Sequence, residues 1–448
     1  MDIAKARTLK EAYRACELRP LTAEQMDAYY VPFAARHDVM GELNFTLDLI
    51  EPGETKSLLF TGHVGCGKSS ELTRLKSAWQ TDYLVIPVQV EDEADTNDLT
   101  YTDLYLLVIK QVELALRRQG LAFDAALLQS FEDWFKDITK ETEATVERSV
   151  NVNAEASLGS EAPFLAKFLV KVMAQIKGGS KDKVTIRQTL EREISRLRTD
   201  INNLLRDGAR KLQQAYPEKK GILLILDGLD KCPPNIATQL FIDYSAQLRE
   251  LACNIIYTVP IAVLYGTRKL GSTFENPHII PMIGMYQPNH KAVGLTYDKN
   301  GLEQMAQLIE KRVESEAIFA ERTLLLDLAK ASGGHLRQMM RMTRKAIIIA
   351  SSRGNISKKV EPSDIVYAIN QEQQGFERIL SADDYGELAQ VALTKELTDD
   401  SLGQAMLFST AILEYNGVGR WMYPNPVVMR SEAFKRALNK LQLDQSAP

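Results

Sequence analysis

Ser57-Leu58-Leu59-Phe60-Thr61-Gly62-His63-Val64-Gly65-Cys66-Gly67-Lys68-Ser69-Ser70-Glu71-Leu72 is the stretch that decides how this chain of 448 residues is read. Its first five residues form an apolar run entering a glycine-rich loop, the pattern of a buried parallel strand. Its end opens a segment, Ser69 to Trp79, in which Leu72, Leu75 and Ala78 fall on one helical face. Between them Gly62, Gly67, Lys68 and Ser69 fit the spacing GxxxxGK[ST]. Glycines let backbone N–H groups turn inward around phosphate oxygens, and the positive end of the following helix points at the same place. Lys68 is then expected to reach the β- and γ-phosphates of a nucleotide and the Ser69 hydroxyl to hold Mg²⁺. The whole loop, Gly62, His63, Val64, Gly65, Cys66, Gly67, Lys68, Ser69 and Ser70, is the expected nucleotide-binding segment. Cys66, inside it, is an alkylation-sensitive position on this reading.

Outward from the loop, Gly221-Ile222-Leu223-Leu224-Ile225-Leu226-Asp227 is the clearest buried strand, and it leads into Gly228-Leu229-Asp230-Lys231. A carboxylate ending the neighbouring strand holds the metal's hydration shell in phosphate-loop enzymes. Asp227 fits that role, with Ser69 as the other metal-binding residue. Asp230 is the candidate to orient or deprotonate the attacking water.

Further strands are expected at Tyr83–Val88, Asn254–Val259 and His278–Met282, the last at an edge because of Pro281. A helix is expected at Leu104–Leu116. Strands alternating with helices predict an α/β fold with a parallel sheet. Residues 1–50 read as a helical N-terminal segment broken near Arg19-Pro20 and Val31-Pro32, and 51–290 as the ATPase core. Within the core, residues 121–219 read as an inserted, mostly helical arm. It carries a short strand at Val150–Asn153, a break at Gly178-Gly179-Ser180 and a long helix from Val184 to Ala215. Residues 291–368 read as a helical lid and 369–448 as a small C-terminal module with a hairpin near Asn416-Gly417.

Composition bounds the function. The chain is 45% hydrophobic and 25% charged, with a net charge of −5, so a globally basic nucleic-acid binder is excluded while a local basic face is not. Cys16, Cys66, Cys232 and Cys253 form no CxxC pair, and reduced thiols in a cytoplasmic protein are expected. No signal-peptide pattern opens the chain and no run is long enough to span a bilayer. The nearest, Pro163 to Ile176, is interrupted by Lys167 and Lys171.

The segment Leu224-Ile225-Leu226-Asp227-Gly228-Leu229-Asp230-Lys231 resembles the Walker B motif of STAND-type NTPases, the signalling branch related to AAA+ ATPases, and is similar to the Asp-Gly-x-Asp-Glu of NACHT proteins. Lys231 stands where a Glu is common there, which points to slow hydrolysis. Ser332-Gly333-Gly334-His335-Leu336-Arg337 and Leu413-Glu414-Tyr415 with Trp421-Met422-Tyr423-Pro424 resemble a group of bacterial ATPases of this class. The resemblance implies an AAA+-like core, a helical lid and a winged-helix-like module. It implies Thr258 as a sensor of the γ-phosphate, Arg337 as the lid arginine that reaches it, and Arg268 as an arginine finger for a neighbouring subunit.

Three functions remain open on these residues. One is an ATP- and Mg²⁺-dependent switch that forms homo-oligomers and controls a partner or effector protein, in the defence setting that STAND resemblance implies. Another is a DNA-associated AAA+ loader or transposition-type regulator, with Arg420, Trp421, Tyr423 and Arg430 on a wing. The third is a scaffold with a vestigial nucleotide site.

Overall fold

A computed structural model describes residues 3–135, 169, 182–266, 270, 274–287, 294–353, 359–397, 401–416 and 419–446. The expected Val150–Asn153 strand, the Gly178-Gly179-Ser180 break and nearly all of Pro163–Ile176 lie outside these residues.

Five parallel strands form the sheet: β1 (Ser57–Gly62), β2 (Tyr83–Gln89), β3 (Gly221–Asp227), β4 (Asn254–Pro260) and β5 (His278–Ile279). They lie in the order β2-β3-β4-β1-β5. β1 therefore sits inside the sheet, with β4 and β5 on either side. This is the expected α/β fold with a parallel sheet. The expected strand His278–Met282 shortens to two residues paired with Phe60 and Thr61. Pro281 lacks the N–H that would continue the ladder.

Side chains alternate across the sheet, and each face builds its own core. Leu58, Phe60, Leu223, Ile225 and Ile256 pack with the N-terminal helices, the lid and the C-terminal module. Leu59, Ile222, Leu224, Leu226, Ile255 and Tyr257 pack with the helices Tyr101–Arg118 and Ile194–Ala215.

The second of those helices corrects the expected arm. The segment from Val184 is two helices, Asp182–Arg192 and Ile194–Ala215, broken at Glu193. Leu197, Ile201, Leu204, Leu205 and Leu212 of the latter are buried against the core. Its periodic apolar face thus covers the sheet, and its basic residues are the solvated side of a structural layer. Arg187 also clamps the preceding helix to the core through Asp98 and Asp103.

Beyond residue 290 the segment expected as a lid consists of Lys299–Glu310, Ser315–Ile318, Thr323–Ser332, Leu336–Ser352 and Pro362–Glu377. The last helix runs through the expected boundary at residue 368, so the lid ends nearer Leu380. Ala382–Thr394, Ser401–Phe408, an antiparallel hairpin of β6 (Ile412–Asn416) and β7 (Arg420–Pro424), Pro426–Met429 and Glu432–Ser446 complete the chain. Asn416 pairs with Arg420 at the end of this hairpin, and the expected turn residue Gly417 lies outside the described residues.

Candidate nucleotide-binding site

The loop begins where β1 ends, and the helix Lys68–Trp79 starts immediately after Gly67, whose φ of 104° suits glycine. Gly62 and Gly65 also have left-handed φ values. The Lys68 ammonium is buried and donates to the carbonyls of Gly62 at 2.8 Å and His63 at 2.9 Å. It also pairs with the Asp230 carboxylate at 2.7 Å. Burial alone would lower the Lys68 pKa, but Asp230 beside it, with Cys66 and Asp227 adding, turns the net shift upward. The ammonium stays charged.

Asp227 ends β3 and is buried, its oxygens accepting from the Gly228 N–H at 2.9 Å and the Gln89 Nε2 at 3.2 Å. Both donors are neutral, and among the described residues Asp227 forms no ion pair, although the Lys68 ammonium feels its charge. The Ser69 hydroxyl lines the cleft beside the loop and makes no hydrogen bond among the described residues. A hydroxyl and a carboxylate are the kinds of oxygen that Mg²⁺ takes together with phosphate oxygens and water. Among the described residues no group of three His, Cys, Asp or Glu could hold a metal without such help.

Each residue in the middle of the loop is held by a different part of the chain. The His63 ring accepts the backbone N–H of Glu414, on β6, at 2.8 Å. The Val64 carbonyl lies 2.8 Å from the His335 Nε2, which therefore carries the proton, while its Nδ1 accepts from the Gln338 N–H. Gly65 O accepts from the Arg337 N–H at 3.1 Å. The Cys66 carbonyl accepts from Arg36, whose other end donates to Glu71 at 3.2 Å. Lid and loop touch so closely that a Cβ on Gly65 would lie 2.8 Å from both the Arg337 Cβ and the His335 Cε1. Burial drives the pKa of both histidines down to about 3, with His335 and Lys68 adding to the effect on His63. Both rings are neutral.

The cleft runs from the loop, past Arg36, between the N-terminal residues Tyr29, Tyr30 and Phe33 and the lid residues Leu308, Leu336 and Met340. Its lining mixes apolar and aromatic side chains with charged ones, a mixture that suits a nucleoside triphosphate. Arg337 lines the cleft and has no carboxylate partner among the described residues, so its guanidinium is available to an anion.

Several expected site residues stand differently. Gly62, His63, Val64, Cys66 and Asp227 are not among the residues lining the cleft, and His63 turns its ring to the C-terminal hairpin. Cys66 is fully buried, which removes the expected sensitivity to alkylation. Thr258 is buried and bridges β4 to β3, accepting from the Leu229 N–H and donating to the Leu226 carbonyl, both at 3.1 Å. Those bonds brace the turn after Asp227, and Thr258 does not face the cleft. Arg268 lies outside the described residues. Ser70 accepts from the Leu21 N–H at 3.2 Å, tying the N-terminal segment to the loop.

Arg36, Glu71 and Gln89 belong to the site and carry no sequence signal. Arg36 sits in Ala34-Ala35-Arg36-His37, where nothing distinguishes it from a solvated helix arginine, yet it is buried against the loop. Aromatic residues of the expected wing are used internally: Tyr423 is buried, and Tyr415, stacked on Trp421, donates to the Gly333 carbonyl at 2.6 Å.

Residues 38–244 match the KAP family P-loop domain. The KAP match starts in the helix His37–Asp48, takes in β1 to β3 and stops short of the lid and the C-terminal module. The overall structure is similar to Cdc6p of Pyrobaculum aerophilum, at 10% identity and a TM-score of 0.38, covering 93% of this chain and 98% of that one. It is also similar to a Walker-type ATPase of Pyrococcus abyssi, at 11% and 0.39, covering 95% and 99%. A RuvB mutant of Thermotoga maritima follows at 12% and 0.34, covering 95% and 98%. No curated protein matches the sequence. The matched segment carries the phosphate loop, and the helices beyond residue 290 and the C-terminal hairpin lie outside it. No helix among the described residues is long and apolar enough to cross a membrane.

Proposed function

We propose that the protein is an ATPase of the STAND/AAA+ kind that binds ATP with Mg²⁺, hydrolyses it slowly and uses the nucleotide state to control its own assembly and a partner protein. The observation that carries this reading is the grip on the loop: four consecutive residues, His63 to Cys66, are held by the hairpin, the lid and the N-terminal segment. Any rearrangement around phosphates is felt by all three.

Lys68 neutralises the β- and γ-phosphates, and the loop amides hold their oxygens. Ser69 and Asp227 would hold Mg²⁺, which would supply charge neutralisation at the transferring phosphoryl group. Arg337 reaches the γ-phosphate from the lid and so ties lid position to the presence of that phosphate. Asp230 orients the attacking water. Lys231 is paired with Glu91 and offers no second base, in keeping with slow turnover. The γ-phosphate shifts the population only by contacts that differ between the two states, and Arg337 is the residue placed to make that difference.

The test is the assembly state of wild type and Lys68→Ala, by light scattering, with and without a slowly hydrolysed ATP analogue. The reading expects a nucleotide-dependent change in mass for wild type alone. No change with any nucleotide would remove the switch. A mass change that needs DNA and fades steeply with salt would instead favour the DNA-associated reading.

A further inference from the structure

The Lys68 ammonium has three N–H donors, and the protein itself supplies three acceptors: the carbonyls of Gly62 and His63, and the Asp230 carboxylate. A triphosphate that uses Lys68 must displace at least one of them. Two are backbone carbonyls at the start of the loop, whose positions the hairpin and the sheet fix. The third is a side chain, able to leave by a rotamer change, and it offers the same chemistry as a phosphate oxygen: a charged, two-fold acceptor.

We propose that Asp230 is the resident counter-ion of Lys68 and competes with the nucleotide's β- and γ-phosphates for it, so that the charge on Asp230 sets how tightly nucleotide is held. This rests on the site being a triphosphate site. Asp230 sits in the short turn Leu229–Lys231, which follows Gly228 in a left-handed conformation. The turn is anchored on both sides of Asp230, by Leu229 N–H to Thr258 and by the Lys231–Glu91 pair. The backbone therefore stays while the carboxylate swings. Lys68 and Asp230 are both buried, so the pair is little screened by solvent and must be exchanged, one anion for another, rather than dissolved. The exchange has a second consequence. Asp230 is released toward water only when phosphates have taken Lys68, so its carboxylate becomes available to the attacking water only in the loaded site.

The experiment measures calorimetric affinities of wild type, Asp230→Asn and Asp230→Ser for ATP, ADP and AMP. The two variants are expected to bind ATP and ADP roughly tenfold more tightly than wild type, the size of losing one charged competitor. AMP has no β-phosphate for Lys68 and is expected to change by less than about twofold. Unchanged or weaker ATP binding in the folded variants, while wild type binds, would overturn the proposal and leave the functional reading standing. So would an equal tightening of AMP, which would reveal general charge repulsion. Wild type that binds none of the three would defeat the functional reading itself. If neither variant folds, wild type crystallised with a slowly hydrolysed ATP analogue decides. Lys68 on a phosphate oxygen and beyond about 4 Å from Asp230 is expected; an intact pair beside bound nucleotide would overturn the proposal.

Discussion

The two faces of the sheet are built from alternate residues of the same strands, yet they do different work. On one, Leu224, Leu226, Ile255 and Tyr257 meet two long helices in an apolar layer. On the other, Phe60, Ile225 and Ile256 support the N-terminal segment, the lid and the hairpin, each of which ends in a polar contact to the loop. A packed apolar face gives rigidity, because a close-packed interior resists deformation. The face that carries hydrogen bonds to a glycine-rich loop can respond, because each bond exchanges for a phosphate contact or a water. One face is a scaffold and the other is a sensor, and variants on the two should separate stability from nucleotide affinity.

The largest effect is expected on the scaffold face. Leu224→Ala removes a fully buried side chain and should cost about 3 kcal/mol in urea unfolding. ATP affinity of the folded protein should stay within about twofold. A parallel fall in affinity would break the distinction between the faces. On the sensor face, Gly65→Ala places a Cβ against Arg337 and His335 at a φ of +86°. Strain of about 2 kcal/mol is expected, and here ATP affinity should fall along with stability, read by calorimetry beside the unfolding curve.

Acid should act on the sensor face as well. His63 and His335 have folded pKa values of about 3 against an ordinary 6.5. Between those values the unfolded chain binds more protons, so the stability these neutral rings contribute is full above pH 6.5 and is lost as pH falls. Each should cost about 1.4 kcal/mol per pH unit in that window, and His335→Asn should remove one such increment from the slope of stability against pH. The smallest effect expected is that of Tyr415→Phe, which deletes the bond to the Gly333 carbonyl. About 1 kcal/mol of stability should go, and lid docking should loosen, measurable as faster hydrogen exchange at residues 333–337.

The sheet, the loop and Asp227 were legible in the sequence because each depends on local pattern. An apolar run ending in GxxxxGK[ST] fixes a strand, a turn and a helix within sixteen residues. A parallel sheet follows from alternation of the strands with helices, whereas the place of β1 inside it does not. What was not legible depends on distant chain segments meeting. Arg36 reaches Cys66 across 30 positions and His63 reaches Glu414 across 351. No spacing encodes such a contact. What buries the apolar face of the helix Ile194–Ala215 was not legible, because an amphipathic pattern says that one face is buried and not what buries it. Thr258 was read as a γ-phosphate sensor from resemblance; its hydroxyl is instead satisfied within the sheet by Leu226 and Leu229.

The measurement that bears most directly on the account is calorimetric titration of ATP into wild type and Lys68→Ala, with and without magnesium. The account predicts a saturable, magnesium-dependent heat at one site per chain for wild type. It predicts affinity weaker by roughly a hundredfold in the variant, since a buried ammonium facing phosphate is lost. No heat with any nucleoside triphosphate, or equal affinity in the two proteins, would contradict it.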